Sequence, residues 1–426
     1  MYSLAFSVLF IAFFIVTLVV RVWLSNRHIR HVLAHRAAVP AEFAGRIPLD
    51  AHQKAADYTV ARTKFGIASL MVSSFILLAF TLLGGLQWLA IQLAPIAGFG
   101  MAGQLAMLGA FAVISGVLDL PFDIYRQFVL EQRFGFNKMT FKLWLADMVK
   151  GLLLGAAIGL PLAWVVLTLM DKAGNLWWLY TWLVWSGFQL LMMVLFPTVI
   201  APLFNKFSPL DDASLKARIE GLMTRVGFAS KGLFVMDGSK RSAHGNAYFS
   251  GFGANKRIVF FDTLLERLAP QEIEAVLAHE LGHFKLKHIV KRIVVMFAIS
   301  LGFLALLGFL KDQAWFYQGL GVDPILSSNA MALILFMLVL PVFTFLFSPL
   351  TSISSRKHEF EADAFAATHA QADDLVSALV KMYEDNASTL TPDPLHSAFY
   401  DSHPPASLRI AQLRGQPRRP HNVVPA

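Results

Sequence analysis

Residues 275–310 read "AVLAHELGHFKLKHIVKRIVVMFAISLGFLALLGFL". The first half carries His279-Glu280-x-x-His283, the spacing of a helix-borne zinc site. The second half, from Ile289, is an apolar run long enough to cross a bilayer, which takes roughly 20 such residues. A hydrolytic metal motif thus abuts a membrane span. The rest of the chain has to be read around that junction.

Composition agrees with a membrane setting. Of 426 residues, 56% are hydrophobic and 15% are charged, and mean hydropathy is +0.57. A soluble chain carries about a quarter charged residues. Seven apolar runs qualify as spans, at about 3–23, 66–90, 100–124, 151–170, 176–203, 289–310 and 330–350. The first has basic residues after it and none before it, so it reads as a retained anchor with its N-terminus outside. Arg27, Arg30, Arg36, Arg46, Lys54, Arg62 and Lys64 fill the first loop, and Arg126, Arg133, Lys138, Lys142 and Lys150 the third. The second loop, "IQLAPIAGFG", has no charge, and Lys172 and Lys311 are the only basic residues of the fourth and sixth. Positive charge collects on the cytoplasmic side of membrane proteins, so odd loops and the C-terminal tail are expected there. The +8 net charge is explained by this arrangement, and no nucleic-acid partner is inferred from it.

The fold class expected is therefore mainly α: a seven-span transmembrane bundle or barrel with a cytoplasmic α+β domain. The divisions are 1–203 (five spans), 204–288 (the large loop with HELGH), 289–350 (a two-span hairpin), 351–415 (a second cytoplasmic part) and 416–426, "QPRRPHNVVPA", a disordered tail. In the large loop, Asp211 or Asp212 caps a helix bearing Leu215, Ile219, Leu222 and Val226, and Gly227 ends it. Three strand-like runs follow, "GLFVMD", "NAYFSGFG" and "RIVFFDTLL". A helix restarts over 269–288 with Pro270 in its first turn. The part after 351 reads as helix, turn, helix.

Residues four apart share a helix face, so His279 and His283 can meet at one ion, with Glu280 one step round and within reach of an activated water. His31 and His35 have the same spacing but no glutamate, and read as part of a basic interfacial helix. The chain has no cysteine, so a catalytic zinc must take its third ligand from His or a carboxylate. Two spans after HELGH the chain returns to the same side with "SSRKHEFEADAFA". Glu359 and Asp363 lie four apart there and Glu361 points away. Glu359 is the candidate ligand, and Asp363 the acceptor that orients a ligand histidine. The bland alternative is an acidic solvated helix. Asp119 and Asp123 lie near a span end beside Arg126, and local pairing is favoured over a proton relay. Pro161, Pro197 and Pro341 show no halved symmetry of the transporter kind.

The segments "AHELGHFKLKH", "SRKHEFEADAFA", "HGNAYFSGFGANKRIVFFDTLLE", "SHPPASLRI" and "LPFDIYRQFVLEQRFGFN" together resemble the integral-membrane zinc metalloproteases called CAAX prenyl proteases, over nearly the whole chain. The resemblance implies one zinc per chain on His279, His283 and Glu359, with Glu280 as base and Asp363 in support. It implies that Asn246 lies beside the substrate and reaction centre, and that His403 and Arg409 border the site. It also implies a chamber within the helices and prenylated CAAX peptides as substrates, cut to release the last three residues. His403 and Asn246 are then the candidates to assist the oxyanion. "NAYFSGF", with Tyr248, reads as an edge strand on which an extended peptide could pair. Membrane lipid is the other partner, and oligomeric state is open. A membrane quality-control protease would share this site. A channel or scaffold with a vestigial site is the non-enzymatic alternative. The membrane would be the inner one in a bacterium, or the ER otherwise.

Overall fold

The computed structural model describes residues 1–229, 232–250 and 257–415. The disordered-tail expectation for 416–426 and the end of the "NAYFSGFG" run lie outside them. Seven helical stretches are long and apolar enough to cross a membrane: Tyr2–Ala34, Leu49–Phe80, Met101–Phe134, Phe141–Lys172, Gly174–Phe204, His288–Leu310 and Asn329–His369. All seven expected spans are present, but most run well past their expected ends. A 33-residue helix such as Tyr2–Ala34 is about 50 Å long at 1.5 Å per residue, against about 30 Å of hydrocarbon. The spans therefore extend out of the membrane as rigid posts.

This corrects several boundaries. The first loop shrinks to 35–48 and the third to 135–140, because their basic residues mostly lie on helical extensions. The helix Met101–Phe134 is continuous through a wide π segment, Arg126–Glu131, until Gly135 turns with φ +84. The expected second span, 66–90, instead ends at Phe80. Gly84 adopts φ +78 and a separate short helix, Gly85–Ala97, follows. A side chain at Gly85 would stand 2.5 Å from the Ala79 carbonyl oxygen, so the tight corner needs glycine. The seventh stretch passes through Phe345–Phe347 into Ser348–His369 without leaving helical geometry, so position 351 starts no new element.

In the most apolar window of the second, third, fourth and sixth spans only 6% of residues are buried. One side of these spans packs partly against its neighbours, through residues such as Ile76, Leu105, Phe111, Val166 and Phe303. The seventh span differs, with 44% of its window buried. It packs on the first, third, fourth and sixth spans through Ala330, Ile334, Leu335 and Val339.

The α+β part contains a four-stranded sheet in the order β1-β2-β4-β3, with β1 Phe207–Pro209, β2 Leu233–Met236, β3 Ala247–Ser250 and β4 Arg257–Phe261. β2 runs parallel to β4, and the outer pairs are antiparallel. Strand β1 has no counterpart in the expected runs. The "RIVFFDTLL" run stops at Phe261 and Asp262–Arg267 is helical, since Asp262 is stabilised in a first helical turn. Asp212, not Asp211, caps Ala213–Val226 by accepting from the Ser214 and Leu215 amides at 2.9 Å each. Gly227 ends that helix with φ +62. Leu215, Ile219, Leu222, Ile258, Phe260, Ile273 and Leu277 form one core between sheet and helices.

This part is fastened to the spans by charge. Arg241 clamps Asp147 of the fourth span at 2.9 and 3.2 Å and reaches Asn205 at 3.0 Å. Arg27 of the first span holds Asp393 at 2.9 Å. Near the membrane, Arg126 stands 3.6 Å from Asp123, both more than half exposed, while Asp119 makes no ion pair among the described residues.

Candidate metal centre

The helix Pro270–Lys285 carries HELGH. Pro270 starts it, and Glu272 caps it by accepting from the Ala269 amide at 2.7 Å. Glu272 also accepts from Ser377 at 2.6 Å and Lys381 at 2.7 Å, which ties the helix to its neighbour Ala372–Asp385. Glu274 is gripped by Arg218 and Arg225, each at 2.6 Å. Residues Glu272 to His279 are all buried. Against this helix lies Ser348–His369. The two helices approach closely at Gly282, where an added methyl would stand 3.1 Å from the Ala362 Cα and 3.1 Å from the Phe365 Cβ. The glycine of HELGH thus lets the two ligand-bearing helices approach.

That approach brings three ligand atoms together. His279 Nε2 and His283 Nε2 are 3.2 Å apart. Glu359 Oε2 is 3.5 Å from the first, and Oε1 is 3.3 Å from the second. A tetrahedral zinc with bonds of 2.0–2.1 Å has ligands about 3.3 Å apart, so the triangle has the right size. Glu359 Oε2 is buried and accepts no hydrogen bond among the described residues. Arg409 Nη1 comes only to 3.6 Å of it. Two imidazoles and an orphaned carboxylate oxygen facing one point fit a zinc-type ion.

The outer nitrogen of His279 is fixed. Its Nδ1 lies 2.8 Å from Asp363 Oδ1, and a carboxylate only accepts, so Nδ1 holds a proton and Nε2 is the nitrogen left to face an ion. Asp363 is wholly buried and is held by Arg409 through Nε at 2.8 Å and Nη2 at 2.6 Å, a bidentate pair. Arg409 Nη2 also lies 3.3 Å from His279 Nδ1. With the Nδ1 proton committed to Asp363, that is a contact and not a hydrogen bond. Burial disfavours a charged His279, yet the neighbouring Asp363 and Glu359 carboxylates outweigh it and raise the ring to about 9, so without an ion they draw a second proton onto Nε2, the place an ion would take. The two carboxylates favour a cation at this point.

Glu280 is half-exposed and has no hydrogen bond or ion pair among the described residues, as a group free to meet a water or substrate would be. His403, largely exposed, puts Nε2 3.3 Å from Glu359 Oε1. Asn246 and Tyr248 are not joined to the cluster by any hydrogen bond among the described residues. The Asn246 carboxamide turns back to accept from the Ala247 amide at 2.8 Å, and Tyr248 packs edge-on against Phe261. Both lie at β3, an edge strand as expected. A cavity of about 650 Å³ opens beside His403, lined by Arg21, His28, Tyr58, Arg62 and Asn386 among others.

Glu361 points away from the triangle, as expected, but it has a buried partner there. Its Oε2 meets His288 Nε2 at 2.9 Å, and His288 Nδ1 meets His283 Nδ1 at 3.1 Å. His288 was in view in the sequence, five residues past His283, but an unbroken helix would put it on another face. Lys287 with φ +58 breaks the helix and re-aims it.

Similarity to known proteins agrees with this geometry. Residues 28–206 match a family model described as CAAX prenyl protease N-terminal, five membrane helices, and residues 209–416 match peptidase family M48. CAAX prenyl protease 1 of Saccharomyces cerevisiae is 40% identical over 333 residues, covering 74% of this chain and 72% of that one. A CAAX prenyl protease 1 homolog of Arabidopsis thaliana is 35% identical over 393 residues, covering 89% and 91%. The crystal structure of S. mikatae Ste24p superposes with a TM-score of 0.87 at 34% identity, over 96% of this chain and 98% of that chain. The chain belongs to the M48 metallopeptidases, among the multi-pass membrane proteases that CAAX prenyl protease 1 represents.

Proposed function

We propose that this membrane metallopeptidase is a zinc endopeptidase whose ion is held by His279, His283 and Glu359, acting on the C-terminal region of prenylated CAAX peptides. The observation that carries it is the 3.2–3.5 Å triangle of His279 Nε2, His283 Nε2 and the Glu359 carboxylate beside an unpaired Glu280. The substrate class rests on likeness to relatives named CAAX prenyl protease 1. Zinc, when bound there, polarises a carbonyl and brings the pKa of water to about 7. Glu280 takes the water proton and delivers it to the leaving amine. Asp363 and Arg409 keep the His279 lone pair turned inward. His403, at the exposed rim, donates to the developing oxyanion. Edge strand β3, with Asn246 and Tyr248, pairs with the extended peptide backbone, which makes recognition tolerant of side chains. Asn246 must leave its Ala247 contact to reach the reacting carbonyl.

The catalytic unit comprises 204–288 and 351–415, and 1–203 and 289–350 form its membrane support. It faces the cytoplasm, a reading supported by the basic residues on the helical extensions that meet it, Arg27 and Lys150 among them. A lipid-bearing substrate would then keep its anchor in the bilayer while its peptide reaches Glu280. The test is cleavage of a farnesylated CAAX peptide by the detergent-purified chain, with Glu280→Gln alongside. We expect the variant to keep its zinc and lose activity by 10²-fold or more. Full activity in Glu280→Gln would remove it as the base. Turnover of unprenylated membrane proteins but not of the peptide would favour a quality-control protease.

A further inference from the structure

We propose that His288 and Glu361 are positioning residues for His283, setting its tautomer so that Nε2 faces the ion. This rests on the metal-site reading above. His279 has its partner in Asp363, but nothing in HELGH or Glu359 accounts for the outer nitrogen of His283. Its Nε2 is the atom turned to His279 and Glu359, at 3.2 and 3.3 Å. Its Nδ1 therefore points away from them, and His288 Nδ1 is 3.1 Å from it.

Two facing ring nitrogens can bond only if one carries a proton and the other a lone pair. Glu361 decides which. Its Oε2 lies 2.9 Å from His288 Nε2, and Lys357 Nζ, 3.9 Å from Oε1, favours the charged carboxylate. A carboxylate only accepts, so in the neutral ring, which burial favours, His288 Nε2 holds the single proton. His288 Nδ1 is then the acceptor, His283 Nδ1 must donate, and His283 Nε2 is left with a lone pair. Each step follows from the one before.

The surroundings keep this chain in register. His288 is 4% exposed, and His358 stacks on it with centroids 4.1 Å apart and planes 13° from parallel. The stack holds the plane of the ring, and the contacts to His283 and Glu361 set which way round it sits. Lys287, with φ +58, places His288 as the first residue of the sixth span while bringing it back against His283. His288, His358 and Glu361 also have the composition of a metal site. Both His288 nitrogens are already engaged, however, one by His283 and one by Glu361.

The test is zinc affinity in the purified full chain, measured by competition with a chromophoric chelator, together with zinc stoichiometry and thermal midpoint in excess chelator. His288→Phe keeps the ring and its stack but cannot accept. We expect its zinc affinity to fall about 10–100-fold while its midpoint in chelator stays within about 3 °C of wild type. His288→Gln can still accept through Oε1, and we expect it to recover most of the loss. Glu361→Leu, at a partly exposed position, gives a second variant should His288→Phe fold poorly, and we expect it too to weaken zinc binding. Wild-type affinity in both His288→Phe and Glu361→Leu would overturn the proposal. Two zinc ions per wild-type chain, falling to one in His358→Ala, would overturn it in favour of a second ion. Failure of the wild-type chain to bind zinc would instead sink the metal-site reading itself.

Discussion

At the scale of single residues, the centre is a set of lone pairs aimed by buried partners. Asp363 works in two directions, accepting from His279 Nδ1 and neutralising Arg409. Asp363→Ala leaves a buried guanidinium without its counter-charge, which typically costs 3–5 kcal/mol. We expect a lower denaturation midpoint and a zinc affinity reduced about 10–100-fold. Arg409→Lys should not substitute, because one ammonium cannot reproduce the fork that Nε and Nη2 make on Asp363. His279, Glu280, His283, Glu359 and Asp363 were all legible as candidates from spacing and membrane side. Arg409 and His403 came only through family resemblance. No local signal marks an arginine in "SHPPASLRI" as the partner of an acid 46 residues earlier.

At the scale of elements, the site depends on two helices approaching and on one helix breaking. Gly282 permits the approach. Alanine there is the better helix former by about 1 kcal/mol. The added methyl, however, meets the Ala362 backbone at 3.1 Å, and backbone yields poorly. We expect Gly282→Val to separate the helices, with loss of zinc in metal analysis and a lower midpoint.

The break is at Lys287, whose left-handed backbone costs a non-glycine residue roughly 1–2 kcal/mol. Periodicity ran the helix through to 288, and no Gly or Pro marks the break. A second joint is sensitive to acid. His396, stacked on His28 of the first span at 4.1 Å, is held near pKa 4 by burial, with Asp393 pulling the other way. The folded chain holds this ring neutral, and the unfolded chain protonates it near 6.5. Its stabilisation is complete above about pH 6.5 and is lost as pH falls toward 4. Asp393 is depressed, so its share is kept until pH drops below the usual carboxylate range. We expect a midpoint that falls from pH 7 to 5, and a smaller fall in His396→Phe.

At the scale of the whole molecule, the catalytic part is built from segments separated by two spans. Glu359 reaches His279 only because the seventh span continues as one helix into the α+β part. An ion held there would join segments that the chain keeps far apart. Chelation should lower the thermal midpoint and added zinc restore it, since a ligand bound only by the folded state stabilises that state. Glu280→Gln should keep that shift and Glu359→Ala should lose it. Arg241→Ala should loosen the large loop from the fourth and fifth spans, seen as faster proteolysis within 205–250.

By itself the sequence determined seven apolar spans, that HELGH and Glu359 return to one and the same side, and the residue types able to hold a metal. Those follow from hydropathy and parity of crossings, which are local or additive. The tertiary structure decided where the spans end, that the seventh span and the Glu359 helix are one rod, and that His288 and Glu361 back the second histidine. Those depend on backbone angles at Gly84 and Lys287 and on contacts between segments dozens of residues apart. Periodicity carries no record of either.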